Sequence, residues 1–526
     1  MTGPQSLAEL ARPACFPHAP SSVQVVQTHL SVVLLADDLV YKLKKSITLP
    51  FVDFAPLANR RNACRDEVRL NRRLCPDTYL GTAALRRAAD GTLHFAATGD
   101  DDGPADLDVA VVMRRLPQER MLDELLRQNA VTTAEIVALA RQVAEFHARC
   151  ERPTAALAAT TPDQLAGFAA DNFTALRDPR LAGLDPHLLD ALASAGAADF
   201  ARLLPDLRRR AANGRVVDGH GDLHARNVCL TAPATIYDCI EFAPAFRIGD
   251  VATEIAFLVM DLRYRHARDL AAGFTQAYVQ ASGDRDLLPL LPTLCGYRAM
   301  VRAKVAMLAA GEAELPAADR DGARASAARH LALAAAFAVE ERGPTWVVLC
   351  GPPASGKSRL AAELAAIAQW PVLATDVLRK ELAGLAPSTH ARAEHYTAAF
   401  TERTYATLFA RAAAATRSGE RVVLLDGNFA TTQLRAAAVR HAADAAVPLR
   451  FVHVHVDAAT AVARAAQRAH DPLATSDAGP DVTAARHAQF VPPAAAEGFA
   501  STRLDGTLAA PTLAARSLAA LLHTPR

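Results

Sequence analysis

The segment GPPASGKS, residues 351–358, restricts the fold of this chain more than any other stretch. It matches the G-x-x-x-x-G-K-S pattern of a phosphate-binding loop, and it lies between an apolar run, 346–350, and a helix-forming run, 359–368. Backbone N–H groups and a helix N-terminus converge on one phosphate where a buried strand passes directly into a helix. The motif therefore predicts a strand, a loop and a helix of a parallel α/β domain.

The residues of this loop have distinct predicted tasks. Backbone N–H groups around Gly351, Ser355 and Gly356 are expected to cradle ATP phosphates. Lys357 is expected to reach the β- and γ-phosphates, and Ser358 to bind Mg²⁺. A chance match of the pattern is the alternative, and the strand and helix on either side argue against it.

Two later apolar runs extend the α/β pattern. VVLLD at 422–426 and LRFVHVHV at 449–456 stand between Ala-rich segments, and this alternation predicts a parallel sheet. Asp426 ends the first run, where a carboxylate that supports Mg²⁺ is expected; a structural Asp at the strand end is the alternative. His453 and His455 share one face of the second run, and we expect a packed pair because no third metal ligand is apparent.

Length and composition limit the classes of protein that this chain can belong to. Its 526 residues exceed the size at which single cores stop growing, so two domains are expected, with three as the alternative. The 57 basic and 56 acidic residues leave a net charge of +1, which disfavours nucleic acid as a partner. No membrane-spanning run, no signal-peptide pattern and eight scattered cysteines without a C-x-x-C pair predict a cytoplasmic protein.

Shifts in pattern along the chain predict the domain bounds. We predict a first domain at 1–339, a charged Gly-Pro linker at 340–345 and a second domain at 346–526. Within the first domain, strand-like residues from about 20 to 115 predict a small β-rich lobe, and the rest predicts a helical lobe.

The small lobe carries a candidate ion pair. Residues 31–43 predict a hairpin and residues 59–74 predict a helix. Lys42 on the hairpin is the first candidate for a cation on ATP phosphates, and Lys44 is the alternate. Glu67 lies on the apolar stripe of the helix, so an ion pair with Lys42 is expected; a boundary glutamate that reaches water is the alternative.

The segment DGHGDLHARNVCL, residues 218–230, admits two interpretations. His220, Asp222 and His224 form an H-x-D-x-H pattern that could hold a transition metal. Asp222 and Asn227 instead have the D-x-x-x-x-N spacing of a phosphoryl-transfer loop. We favour the second, because no further His cluster stands in this half of the chain.

The residues that follow complete this second interpretation. VCLTAPATIYD predicts a strand, a Pro-containing turn and a strand, which returns Asp238 to the vicinity of Asn227. Both residues can then donate oxygens to Mg²⁺, while Asp222 accepts or orients the proton of an attacking hydroxyl.

The segments HGDLHARN, IYDCIEF and RIGDVATEIAFL resemble the aminoglycoside phosphotransferase and choline kinase group. The resemblance covers the predicted first domain and implies the α+β protein-kinase-like fold. It implies that Asp222 is the catalytic base, that Asn227 and Asp238 hold metal, and that Asp250 braces the catalytic loop. No G-x-G-x-x-G precedes Lys42, so phosphate coverage would come from a hairpin loop without that signature.

The second domain carries a further resemblance. The T-D-x-x-R pattern in ATDVLRKEL is similar to the acceptor site of polynucleotide kinase-like and gluconate kinase-like P-loop enzymes. It implies that Asp376 activates the acceptor hydroxyl and Arg379 binds substrate; a helix N-cap is the alternative for Asp376. Arg464 and Arg468, four residues apart, look like lid arginines, with a solvated helix face as the alternative.

Together these resemblances imply a bacterial bifunctional protein: an aminoglycoside phosphotransferase-like domain fused to a P-loop kinase domain of the kind also classed among AAA family ATPases. The implied function is transfer of the γ-phosphate of ATP, with Mg²⁺, to hydroxyl groups of small molecules at two sites. The alternative is a nucleotide-sensing switch, in which the P-loop domain binds or hydrolyses ATP and the kinase-like domain is a binding scaffold. The sequence names neither the acceptor nor the oligomeric state.

Overall fold

The computed structural model describes residues 4–49, 52–312, 315–386, 389, 391–468 and 479–523. The chain divides into two compact units, each made of two stretches. The first unit combines Met1–Phe168 with Leu203–Leu294, and the second combines Ala169–Arg202 with Cys295–Arg526. The domain bounds at 339 and 346 stay a prediction. The second compact unit contains the residues on both sides of the 340–345 segment.

The strands of the described residues are, in chain order, β1 (Val23–Gln27), β2 (Ser31–Ala36), β3 (Leu39–Lys44), β4 (Thr48–Leu49), β5 (Val52–Asp53), β6 (Tyr79–Arg87), β7 (Leu93–Phe95), β8 (Asp108–Arg114), β9 (Val216–Asp218), β10 (Val228–Cys229), β11 (Thr235–Ile236), β12 (Ile248–Asp250), β13 (Thr345–Cys350), β14 (Val372–Ala374), β15 (Val422–Asp426), β16 (Leu449–His455) and β17 (Ser501–Asp505).

The α-helices of the same residues are α1 (Pro4–Leu10), α2 (Leu57–Asn71), α3 (Leu122–Arg127), α4 (Thr133–Arg149), α5 (Ala155–Leu176), α6 (Pro186–Ala212), α7 (Pro244–Arg247), α8 (Val251–Tyr264), α9 (Arg268–Ser282), α10 (Leu291–Ala310), α11 (Ala317–Glu341), α12 (Lys357–Ala368), α13 (Thr375–Leu382), α14 (Ala398–Arg417), α15 (Thr432–Asp444), α16 (Ala458–Arg468), α17 (Pro480–Gln489) and α18 (Ala510–Leu522). None of these described helices combines the length and hydropathy that a membrane span requires.

An antiparallel sheet of six described strands, in the order β1-β2-β3-β8-β6-β7, organises the first part of the chain. The predicted hairpin is β2 and β3, which pair Ala36 with Leu39 across two residues. Asp37 in that turn has φ 51, a left-handed conformation that Asp tolerates. The apolar face of α2 packs on the same sheet, with Val68 in one core with Val111, so this helix carries its side chains directly to β3 and β8.

Short strand pairs and one buried helix position the loop that follows. β10 pairs with β11, and β9 pairs with β12, each antiparallel. α8 is buried along nearly its whole length, from Val251 to Arg263, so charged residues on it must find partners inside the protein. A capping box begins α4: the Thr132 side chain accepts from the Glu135 N–H, and the Glu135 side chain accepts from the Thr132 N–H.

In the second unit, the described strands β14-β15-β13-β16-β17 form an all-parallel sheet in that order. β13 lies at its centre, and α12 begins at Lys357, seven residues after the end of that strand. The predicted strands at 346–350, 422–426 and 449–456 are β13, β15 and β16. The predicted fold class is confirmed: an α+β kinase-like arrangement is followed by an α/β P-loop domain with a parallel sheet.

Candidate active sites

Lys42 joins the small sheet to the loop that carries Asp238. Its Nζ donates to Glu67 Oε1 at 2.9 Å and to Asp238 Oδ1 at 2.5 Å. Burial lowers the pKa of Lys42, but the charges of Asp238 and Glu67 outweigh burial and hold it well above its ordinary range. The predicted Lys42–Glu67 ion pair is present, and the lysine is charged.

Lys44, the alternate cation, has a different set of partners. Its Nζ donates to Glu67 Oε2 at 2.5 Å and to Glu241 Oε1. Burial raises the pKa of Glu67, but Lys42 and Lys44 outweigh that effect and lower it to about 2. Glu67 is therefore an ionised bridge between two lysines, and the lysine that contacts Asp238 is Lys42.

The 222–227 loop brings the predicted base next to the predicted metal ligand. Asn227 Nδ2 donates to the Asp222 backbone oxygen at 2.9 Å and to Asp222 Oδ2 at 3.1 Å. His224 Nε2 lies 3.3 Å from the same Oδ2. The Tyr237 N–H donates to the Asn227 backbone oxygen at 3.0 Å, so the β10–β11 hairpin places Asp238 beside Asn227 along the backbone, as the sequence predicts.

Asp238 has a backbone conformation that is costly for a residue other than glycine. Its φ is 64, and strain of this kind costs about 1–3 kcal/mol. Its N–H donates to the Tyr79 hydroxyl at 3.2 Å, and the next N–H, that of Cys239, donates to Asn71 Oδ1 at 2.9 Å. The surrounding side chains therefore hold Asp238 in place against that strain.

Both ring nitrogens of His220, the first residue of the H-x-D-x-H pattern, have partners in the structure. Its Nδ1 accepts the Asp222 N–H at 3.2 Å, and its Nε2 donates to the Tyr237 oxygen at 3.0 Å. Burial lowers the pKa of His220, which favours the neutral ring that these two bonds require. Within the described ranges, no three His, Cys, Asp or Glu side chains are grouped so that they could hold a metal ion. His220 braces the loop, and buried His224 contacts the Phe257 ring.

Glu254 on α8 is the carboxylate that braces the loop predicted to be catalytic. Its Oε1 accepts the N–H of His220 at 2.5 Å and of Gly221 at 3.0 Å, and its Oε2 lies 3.0 Å from His147 Nε2. Burial raises the pKa of Glu254, but hydrogen bonding and charge from His147 and the loop outweigh it and lower the pKa to about 2. A Cβ on Gly219 would lie 1.9 Å from Oε1, so the loop needs glycine there.

The expectation that Asp250 braces this loop is wrong. Its carboxylate forms a bidentate pair with Arg210, at 2.8 and 2.9 Å, and accepts the Ala252 N–H at the start of α8. Asp250 therefore fixes the start of α8, and Glu254, one turn further along, reaches the loop. The sequence signal was a lone carboxylate in the apolar run VATEIAFLVM.

The backbone conformation of the phosphate-binding loop in the second unit requires glycine at two positions. Gly351 has φ 147, and a Cβ there would lie 2.3 Å from the Val454 oxygen and 3.0 Å from Ser355 Oγ. Gly356 has φ 108, also outside the range of most side chains. Lys357 Nζ donates to the Pro352 oxygen at 2.8 Å, so the lysine folds back along its own loop.

Asp426 meets this loop from the end of β15. It is buried and accepts a hydrogen bond from the Ser358 hydroxyl. Burial raises its pKa, and the Lys357 charge and the Ser358 bond oppose that rise. The two residues predicted to serve Mg²⁺ at this site are therefore in contact.

Asp376 and Arg379 lie on α13. Asp376 is the second residue of the helix, so it does not occupy the N-cap position. Arg379 is buried, donates to the His395 oxygen at 2.6 Å and lies 4.7 Å over the Tyr396 ring. Burial raises the pKa of Tyr405 to about 12; the Phe429 N–H and the Arg379 charge oppose this rise, and the charges of Asp376 and Asp426 add to it.

Arg464 lies against the phosphate-binding loop. It donates to the Gly506 oxygen at 3.0 Å and to the Ser355 oxygen at 3.5 Å. A Cβ on Gly506 would lie 2.2 Å from the Ser355 oxygen, so the turn after β17 also closes on the loop, a contact that the sequence did not indicate. The side chain of Arg468 lies outside the described residues, and the lid role of both arginines stays a prediction.

Comparison with known proteins agrees with this organisation. A family model described as an AAA domain matches residues 347–493. Two mycobacterial proteins, Rv2004c of Mycobacterium tuberculosis strain H37Rv and Mb2027c of Mycobacterium bovis, are each 30% identical to this chain over 434 residues. The matched region covers 80% of this chain and 81% of each relative.

Solved structures are similar to separate parts of the chain. A gluconokinase from Sinorhizobium meliloti 1021 is 17% identical, with a TM-score of 0.26, over 34% of this chain and 91% of its own. A choline/ethanolamine kinase family protein from Mesorhizobium loti is 14% identical, with a TM-score of 0.36, over 62% of this chain and 98% of its own. The amicoumacin kinase hAmiN is 13% identical, with a TM-score of 0.36, over 62% and 92%.

Proposed function

This chain belongs to the family of the mycobacterial proteins Rv2004c and Mb2027c, and from that premise we propose that it is an ATP- and Mg²⁺-dependent phosphotransferase. In this proposal it has two nucleotide sites, one in each compact unit, and each transfers the γ-phosphate of ATP to a hydroxyl group of a small molecule. The observation that carries the proposal is the contact of Lys42 with both Glu67 and Asp238.

The residues of the first unit suit the groups that the proposal requires. The side-chain amide nitrogen of Asn227 donates to Asp222, so the side-chain oxygen of Asn227 can face a cation. Asp238 would supply a carboxylate to the same cation. Oxygen atoms of this kind are the ligands that Mg²⁺ prefers. When bound, Mg²⁺ neutralises the charge on the transferring phosphate. Lys42 would hold phosphate oxygens, and Asp222 would accept or orient the proton of the acceptor hydroxyl.

The residues of the second unit supply a comparable set. Backbone N–H groups of the 351–358 loop would hold phosphates at the start of α12, where the helix dipole favours negative charge. Ser358 and Asp426, already in contact, would hold the cation. Asp376 would orient the acceptor hydroxyl, and Arg379 would support the acceptor from its buried place beside Tyr396.

Charge and cysteine placement support a small acceptor and a reducing compartment. A net charge of +1 supplies no general attraction for a large polyanion, so we propose a small-molecule hydroxyl rather than nucleic acid. All eight cysteines are free and buried, which suits a cytoplasmic location.

The proposal is tested with γ-labelled ATP and fractionated metabolite extract. The wild type, Asp222→Ala and Lys357→Ala are compared, with Asp66→Asn on the exposed face of α2 as control. We expect label in acceptor fractions, lost in part by each single substitution and fully by both together. Label that survives both substitutions contradicts the two-site proposal. ATP binding without transfer to any fraction would favour a nucleotide-sensing switch instead.

A further inference from the structure

The segment that follows the β10–β11 hairpin, residues 238–241, is held at every residue. Asp238 accepts from Lys42, and the Cys239 N–H donates to Asn71 Oδ1 at 2.9 Å. The Ile240 N–H donates to the His220 oxygen at 3.1 Å. Glu241 closes the segment by accepting from Lys44. We call residues 238–241 the metal segment.

The contacts at the far end of the metal segment are more deeply buried than those at Asp238. The side chains of Lys44 and Glu241 are 2% and 5% exposed, whereas that of Asp238 is 41% exposed. Burying an ion pair seldom adds net stability, because desolvation offsets the attraction, and such pairs can instead fix geometry. The exposed end of the segment is therefore available to ligands, and the buried end has the contacts that fix it.

Glu67 links the two ends. Its Oε1 accepts from Lys42 and its Oε2 from Lys44, at 2.9 and 2.5 Å. Asn71, one turn further along α2, donates to the Glu67 backbone oxygen at 2.8 Å while its own oxygen accepts from the metal segment. α2 thus carries two side chains that hold the segment without using Asp238: Asn71 contacts it directly, and Glu67 does so through Lys44.

Binding of ligands at Asp238 and positioning of the metal segment depend on different contacts. If Lys42 turned from Asp238 to a phosphate, the segment would lose one of its side-chain contacts and keep those of Lys44 and Asn71. We propose that Lys44, Glu241 and Asn71 are positioning residues that hold the metal segment in its ligand-binding arrangement before nucleotide or metal arrives. This inference rests on the proposed role of Asp238 as a metal ligand.

The first test measures the segment itself in the full-length protein without nucleotide or metal. Hydrogen–deuterium exchange of peptides that cover residues 235–243 is compared for wild type, Lys44→Met and Glu241→Gln. Lys45→Met is the matched control, because Lys45 makes none of these contacts among the described residues. We expect exchange in this peptide to rise about tenfold or more in both test variants, while the 345–356 peptide is unchanged. Unchanged exchange at 235–243 would overturn the inference.

The second test measures the metal. Binding of Mn²⁺ with a non-hydrolysable ATP analogue is followed by electron paramagnetic resonance in a Lys357→Ala background, which removes the contribution of the second site. We expect Lys44→Met and Glu241→Gln to weaken Mn²⁺ binding by about 10–100-fold, the range for residues that orient metal ligands. Affinity equal to that of the background variant would overturn the inference.

Two further variants keep the outcomes distinct. Asp238→Asn must weaken Mn²⁺ binding in the same background; if it does not, the proposed function of this site fails, whatever Lys44 does. Each single variant leaves one buried charge of the pair without its partner, which can unfold the protein. A double variant, Lys44→Met with Glu241→Leu, removes both charges and so avoids this effect. The inference predicts that this double variant folds and still shows faster exchange at 235–243; a folded double variant with wild-type exchange contradicts it.

Discussion

The carboxylate of Glu254 holds the backbone of His220, with Oε1 accepting its N–H at 2.5 Å. The same oxygen accepts the Gly221 N–H at 3.0 Å, so one buried charge fixes the two peptide groups that precede Asp222. The second oxygen engages His147, which is held in turn by Tyr278. The position of the candidate base therefore depends on Glu254 of α8, whereas the resemblance implied that Asp250 braces this loop.

Glu254→Gln is expected to destabilise the first unit. The amide keeps one acceptor oxygen but loses the charge that strengthens both loop bonds, so the free energy of unfolding should fall by roughly 2 kcal/mol. Denaturant unfolding measures the change, with Asp66→Asn as a control at an exposed surface pair with Arg69. Equal losses in the two variants would contradict a specific role for Glu254.

His453 is expected to make stability depend on pH. Burial is the main cause that lowers its pKa from 6.5 to about 4, with nearby positive charges adding to the effect. Between these values the unfolded chain binds more protons than the folded chain, so stability should fall as pH drops from 6.5 to 4 and then level off. The contribution is about 2 kcal/mol after allowance for solvent screening.

His453→Phe removes this titration while retaining an aromatic ring beside Phe490. Melting temperatures between pH 7 and pH 4 should therefore fall less steeply in this variant than in wild type. His187→Gln, at an exposed position, is the control and should follow wild type. Parallel curves for all three proteins would show that His453 does not titrate in this way.

Local patterns were sufficient to predict the phosphate-binding loop and the hairpins. In GPPASGKS the strand, loop and helix are contiguous, so the backbone conformation follows from neighbours in sequence. The return of Asp238 to Asn227 was predictable for the same reason, because a short turn connects β10 and β11.

Contacts over long sequence separations could not be predicted. Lys44 and Glu241 are 197 residues apart in sequence, and only the folded chain shows that their side chains form a direct ion pair. Glu254 and Asp250 lie one turn apart, so helical periodicity alone could not decide which of the two reaches the loop. The grouping of α11 with the second unit could not be read from the sequence either, although this helix is buried at every residue from His330 to Glu340.

Glu340→Ala is expected to destabilise the second unit. Trp370 Nε1 donates to Glu340 Oε1 at 2.8 Å, and the indole is buried, so alanine leaves its N–H without that acceptor. A cost of about 1–3 kcal/mol is expected. Unfolding followed by tryptophan fluorescence measures it, and Glu340→Gln, which keeps an oxygen acceptor, should cost less. An alanine variant as stable as the glutamine variant would contradict this account.

Arg464→Ala is expected to weaken nucleotide binding with little change in stability. The guanidinium holds the Ser355 and Gly506 oxygens, and its loss frees the turn that closes on the phosphate-binding loop. Calorimetric titration with an ATP analogue should show a dissociation constant for the second site about tenfold higher. Arg440→Ala, exposed on α15, serves as control, and equal affinity in both variants would refute the prediction.

The central claim is that each compact unit contains its own nucleotide site, and counting bound nucleotides tests it most directly. Equilibrium binding of a non-hydrolysable ATP analogue with Mg²⁺ to the full-length protein should give two molecules per chain. Lys357→Ala and Asp238→Asn should each reduce the count to one, and the double variant should bind none at the same concentration. A count of one in wild type, unaffected by one of the two substitutions, would contradict the claim.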